Sequence, residues 1–174
     1  MKITETTKKT SELMKLLRKE TSIYSYWDDK KLDDNFPVPE KSTTREFSDN
    51  LEPDVLGKSH DDFTKEYGDR MMTIREYIIE QTRRAKNKET MLDEKNWTFF
   101  RGRLPSGRVA RGDWDPDLRY RRVRFDWGSA DRVNADCGAR LAIPLKSCDS
   151  LVPFAIDEAI KIVKEAGYQV SKIM

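Results

Sequence analysis

The sequence predicts an α+β domain spanning about residues 60–174, preceded by a polar extended arm at residues 1–59. Three observations carry this expectation. Thr73-Ile74-Arg75-Glu76 has the S/T-x-x-E form that caps a helix. Residues 97–145 contain no Lys and no Glu, only ten Arg and six Asp, with three of the four Trp and five of the eight Gly. Arg and Asp suit fixed loops and bidentate pairing, whereas Lys and Glu suit exposed helices. Residues 21–58 are poor in apolar side chains and hold Pro37, Pro39 and Pro53. A small, mostly antiparallel sheet packed against two helices is the simplest architecture that uses all three.

The elements follow in order. Thr10 or Ser11 can cap a helix running to about Lys19, with Leu13, Met14, Leu16 and Leu17 on its apolar face. Residues 21–58 read as extended chain, since Pro37-Val38-Pro39 disfavours helix. A segment of that length without structure is rarely a plain loop. It would order on a partner, with Ile23, Tyr24, Tyr26 and Trp27 as the anchor. Ser59 to Asp62 can open a helix through Phe63 and Tyr67 that ends at Gly68. Behind the capping box, Ile74, Ile78, Ile79 and Thr82 form a face, and Arg83, Arg84, Lys86 and Lys88 suit a helix C-terminus. A helix over about 74–86 follows.

Trp97-Thr98-Phe99-Phe100 reads as a strand, Pro105-Ser106-Gly107 as a turn and Gly112 to Asp117 as a loop. Alternation runs through Leu118 and Tyr120, then Val123, Phe125 and Trp127. Its phase slips by one, which a bulge near Arg121–Arg122 would explain. Residues 128–138 read as loop, 139–144 as strand, 154–166 as helix and 168–173 as a last short strand.

Length and composition exclude several classes. The chain has 174 residues, 37% charged, with 33 basic against 31 acidic side chains. No apolar run approaches the roughly 18 residues of a membrane span, and the N-terminus lacks the apolar region of a secretory leader. A cytoplasmic protein without membrane association is therefore expected. One histidine excludes His-pair metal motifs, and two cysteines cannot build a four-ligand zinc site. No cofactor is indicated.

Four groups of residues have chemical potential. Arg119, Arg121, Arg122 and Arg124, with Tyr120, can grip phosphate and stack bases. Against nucleic-acid binding, Asp113, Asp115, Asp117 and Asp126 are interleaved with them, and the segment's excess of four cations is small. Internal salt bridging is the favoured use. Asp113-Trp114-Asp115-Pro116-Asp117 can ligate a cation, but Leu118 follows where an EF-hand needs Gly. Turn formation is the simpler role. Cys137 and Cys148 are open to a disulfide, a catalytic thiol or two buried inert thiols; the last is favoured, since His60 is distant in sequence. His60 sits beside Ser59 and Asp61, where Ser59 capping a helix is the expected use. Trp97, Trp114 and Trp127 suit a core better than a ligand platform.

The strings Arg108-Val109-Ala110-Arg111-Gly112-Asp113-Trp114, Arg119-Tyr120-Arg121 and Cys137-Gly138-Ala139-Arg140-Leu141-Ala142 are similar to the C-terminal stretch of the formylglycine-generating-enzyme (sulfatase-modifying-factor) family. Asp113 stands where that pattern has a Gly-Ser pair, and Ala139 where it has Phe. The resemblance covers 108–143 and implies a C-type-lectin-like fold. Nothing matches the family's copper-binding cysteine pair, so it implies a reduced, non-catalytic scaffold. Scaffolds of that type display variable binding loops in some phage and bacterial proteins.

The expected function is a non-enzymatic protein-binding or structural interaction module. Its partner-binding residues would be Tyr24, Tyr26, Trp27 and Trp114. The alternatives are a nucleic-acid-binding protein using Arg119, Tyr120, Arg121, Arg122 and Arg124, and a metal-dependent hydrolase using Asp113 and Asp115.

Overall fold

In the computed structural model, which describes residues 1–143, sparse apolar residues near the N-terminus meet an apolar sheet face made much later in the chain. The first strand, β1 (Lys2–Thr4), points Ile3 inward. Helix α1 (Thr10–Glu20) follows and buries Leu13, Met14 and Leu17; Leu16 stays exposed. The cap differs from expectation. Lys9 is the N-cap residue, and its backbone N–H donates to Glu12 at 2.8 Å. Thr10 and Ser11 lie in the first turn, and their hydroxyls reach across to Phe36 O and Asp33.

The expected arm is regular structure instead. It contains β2 (Ser22–Ser25), α2 (Asp29–Asn35), β3 (Thr44–Glu46) and β4 (Val55–Leu56). Trp27, Leu32 and Phe47 from this segment are buried in the main core. The elements are two to seven residues long. Such lengths show no periodicity, and the four elements together bury only Leu32, so average polarity hides them. Residues 1–143 therefore form one compact unit.

Helix α3 (His60–Tyr67) is capped by the Ser59 side chain and ends at Gly68 (φ 44°), as the sequence indicates. A 3₁₀ turn at Gly68–Arg70 leads into α4 (Ile74–Asn87). The capping box of α4 is complete, with Thr73 and Glu76 bonding each other's backbone N–H groups. Helix α4 is buried on more than one side. Ile74, Tyr77 and Ile78 enter the core, while Arg75, Glu76, Glu80, Gln81 and Arg84 are buried with polar partners. Arg75 donates to Glu5 (2.8 Å), to Thr10 (2.6 Å) and to the carbonyls of Thr6 (2.7 Å) and Lys8 (2.8 Å).

The remaining strands are β5 (Trp97–Phe99), β6 (Val109–Asp115), β7 (Arg122–Gly128) and β8 (Cys137–Ala139). The main sheet has the order β2-β7-β6-β5-β8-β4, and β1 pairs with β3 in a second, two-stranded sheet. Three ladders of the main sheet are antiparallel; β2–β7 and β5–β8 are parallel. The sheet is thus mixed, and its edge strands come from the expected arm rather than from residues 97–145.

Three details of the expected sheet change. Gly112 to Asp115 belongs to β6 and not to a loop. Gly112 serves close packing there, because a Cβ would lie 2.8 Å from the Phe100 ring and 3.1 Å from that of Tyr77. Leu118 and Tyr120 are exposed in the β6–β7 turn, with Arg121 at φ 39°. The phase slip comes from this turn, not from a bulge. Beyond β8, Leu141 and Ala142 form only isolated bridges, with Met71 and Phe47. The expected helix at 154–166, the strand at 168–173 and Cys148 lie outside the described residues.

Alternation separates the sheet's two faces. Ala110, Val123 and Phe125 join α1 and α4 in the main core. Phe99, Val109, Cys137 and Ala139 point the other way and are covered by Phe63 of α3. Helix α3 shields only part of that second face.

Candidate functional site

The part of the second face beyond α3 carries the Arg and Asp residues that the sequence singles out. Register places Arg124 opposite Asp113, Arg122 opposite Asp115 and Arg111 opposite Asp126. Directly opposed opposite charges stabilise a sheet. Arg124 grips both oxygens of Asp113, at 2.8 Å through Nε, and reaches Asp115 at 3.5 Å. Arg122 lies 3.7 Å from Asp115, and Arg111 lies 3.6 Å from Asp126. Asp117 holds Arg119 at 3.1 Å within the turn. Burial pushes the Asp113 carboxyl above its ordinary range, and the bond from Arg124 opposes that.

Aromatic rings complete this lattice. The guanidinium groups of Arg111 and Arg124 lie 4.3 and 4.8 Å from the centre of the Trp97 ring. Arg122 sits between Tyr24 (5.2 Å) and Tyr120 (4.3 Å). Three of the four Arg proposed to grip phosphate are therefore paired with Asp, and Arg121 is the exposed remainder. Asp113 and Asp115, the residues of the hydrolase reading, are committed to Arg124. No group of three metal-ligating side chains occurs among the described residues.

A different feature lies where the end of β2 meets the loop before β6. The Ser25 hydroxyl donates to Trp27 O (3.0 Å) and accepts from Trp27 N–H (3.2 Å), closing a tight turn. The Tyr26 N–H continues the β2–β7 pairing to Phe125 O at 3.1 Å. These bonds turn Trp27 into the core (5% exposed) and leave Tyr26 outside (53% exposed). The Asp28 side chain then caps α2 by accepting from Lys31 N–H at 2.9 Å. Across from them, Leu104 and Arg108 close a loop by a 2.8 Å backbone bond, with Gly107 at φ 79°. That conformation favours glycine.

Between these two walls is a cleft of about 390 Å³, lined by Tyr26, Trp27, Lys31, Asn35, Arg108, Trp127 and the segment 104–106. Its size is within the range of ligand pockets. Tyr26 and Trp127 meet edge to face at 5.8 Å, and the Arg108 guanidinium lies over the Trp127 ring at 3.3 Å. Trp127 is partly buried and packs against the main core, so this wall is anchored.

The structure thus brings together two of the four residues expected to bind a partner. Tyr26 and Trp27 line the cleft, with Trp27 contributing only the little surface it exposes. Tyr24 belongs to the Arg–Asp lattice, and Trp114 packs half-buried against the main core. Sequence reasoning missed Arg108, Lys31 and Trp127 as cleft residues. Lys31 and Trp127 are 96 positions apart in the chain, and only the parallel β2–β7 pairing brings their segments together.

The nucleophile candidates are otherwise engaged. His60 is buried, its Nε2 is 3.0 Å from Phe100 O, and desolvation lowers its pKa. Cys137 is a buried free thiol that accepts from Arg111 and Asn134, and burial raises its pKa. A reactive thiol needs the opposite shift. No helix among the described residues is long and apolar enough to cross a membrane. No family model, curated protein or solved structure matches this chain.

Proposed function

We propose that this chain is a non-catalytic protein-binding module whose partner docks in the Tyr26–Trp127 cleft. The observation that carries this reading is an open aromatic cleft with both walls pinned by backbone hydrogen bonds. Pre-positioned aromatic side chains bind with little ordering cost. Exposed Tyr, Trp and Arg are also the residue types that dominate binding energies at interfaces. The ordered N-terminal segment contributes one wall of the cleft, in place of the disordered arm expected to fold on a partner.

The Arg-rich alternative has less support. Arg119, Arg122 and Arg124 are paired with Asp, and such pairs leave little net charge to displace counterions from nucleic acid.

The test is photo-crosslinking in native cells, with a photoreactive amino acid at Tyr26 and, as control, at exposed Glu66. Protein adducts formed from position 26 and absent from position 66 are expected. Nucleic-acid adducts, or identical adducts from both positions, would remove the support for this reading.

A further inference from the structure

We infer that the cleft recognises an acidic peptide segment, with a carboxylate seated against Arg108 and Lys31. The inference rests on the binding-module reading above and specifies its ligand. The cleft lining contains two cations and no Asp or Glu, although 31 residues of this chain are acidic. The Arg108 side chain makes no ion pair or hydrogen bond among the described residues, in contrast to those of Arg111, Arg119, Arg122 and Arg124, which all face Asp. Stacking on Trp127 uses the flat face of its guanidinium and leaves the N–H edge, the part that forks onto a carboxylate.

Lys31 is nearly as available. Among the described residues its ammonium pairs only with Asp28, at 3.6 Å, with both side chains 61% exposed. Such a pair exchanges readily. Among the described residues, the buried Trp127 Nε1–H has no acceptor. Tyr26 and Pro105 supply apolar surface for side chains flanking the carboxylate.

A peptide fits better than a nucleic acid. Arg108 already occupies a face of Trp127, which removes a stacking platform for a base. Two cations also fall short of the extended basic track that a phosphate backbone needs.

The experiment probes the full chain with immobilised octapeptides, N-acetylated and C-amidated, built from random mixtures of Glu, Asp, Leu and Phe. A matched array replaces Glu with Gln and Asp with Asn. Binding to the acidic array and not to the amide array is expected. For the best acidic peptide, Arg108→Gln with Lys31→Gln should weaken affinity by roughly tenfold or more, with an unchanged circular dichroism spectrum. Rising salt should weaken the wild type and leave the double variant nearly unaffected.

Equal binding to both arrays, or an unaffected double variant, would overturn the acidic specificity while leaving the module reading intact. Binding to neither array, with protein adducts still forming at position 26, would overturn the ligand class alone. Loss of those adducts as well would overturn both. Displacement of the peptide by a single-stranded oligodeoxythymidine would reassign the cleft to phosphate. Self-association that Arg108→Gln abolishes, read by sedimentation equilibrium, would make a second copy the occupant and overturn the proposal.

Discussion

Residues 1–59 and residues 97–143 share one unit but are fastened in opposite ways. The later segment is held by one long ladder, seven residue pairs joining β6 to β7, and by an Arg–Asp lattice on a partly exposed face. The earlier segment has short strands, a few deeply buried apolar side chains and buried polar clasps. Arg75 binds four acceptors within residues 5–10. Arg45 of β3 binds Glu76 (2.6 Å through Nε) and the Met71 carbonyl (2.9 Å). Arg140, fully buried beside β8, holds the carbonyls of Asn50 and Leu51 while pairing with Asp93. A polar segment can thus be integral to a core when each of its few apolar residues has a prepared place and its backbone acceptors meet buried arginines.

Deleting residues 1–58 gives the sharpest break. It removes Ile3, Leu13, Met14, Leu17, Trp27, Leu32 and Phe47 from the core and both edge strands from the main sheet. The truncated chain should lose cooperative unfolding and near-ultraviolet circular dichroism. A truncated chain that unfolds cooperatively would restore the separate arm.

Next in size, Arg75→Ala should cost about 3–5 kcal/mol, since it leaves the buried Glu5 carboxylate and Thr10 without their donor and also frees the carbonyls of Thr6 and Lys8. Urea denaturation measures this, and a loss under about 1 kcal/mol would contradict a clasp.

The Arg140 clasp has a pH signature. Burial pushes Asp93 up to about 6, against the pull of Arg140 and the bond from Thr98. A carboxyl raised in the folded state holds its proton there after the unfolded chain has released it. Stability should therefore fall as pH rises from about 4 to about 6, by about 2 kcal/mol. Asp93→Asn should flatten that slope, whatever its effect on absolute stability. Urea midpoints across this window decide the matter.

The lattice should respond less. A double-mutant cycle between Asp113→Ala and Arg124→Ala should give a coupling of about 1 kcal/mol, reduced by salt. Arg119→Ala should change stability by less than about 0.5 kcal/mol, because that side chain is 78% exposed. A larger effect there would give the turn a structural weight like that of the clasps.

What could be read in the sequence follows the same division. Helices α3 and α4 carried their caps and stops as side chains at fixed offsets, so Ser59, Gly68 and the Thr73–Glu76 box were visible without tertiary information. The pairing of the Arg cluster with interleaved Asp was also legible, since alternation in an antiparallel hairpin puts such residues opposite one another. Strands β2, β3 and β4 were not, because four residues or fewer carry no period and none has an aromatic run like the Trp97-Thr98-Phe99-Phe100 that marks β5. Gly112 read as a turn because glycine used for close packing has the same letter. In the cleft, Tyr26 and Trp27 drew attention as aromatics in polar surroundings. Arg108 did not, because its isolation from Asp is a fact of space.

The strand order also bears on how the chain assembles. Both edges of the main sheet, Ser22–Ser25 and Val55–Leu56, are synthesised before any of its central strands, which end at Ala139. The first third of the chain therefore leaves the ribosome with its tryptophan and leucines unhoused and waits for their docking surface. Closure then requires contacts between residues far apart in sequence, which makes folding slow and a chaperone's protection useful in the interval.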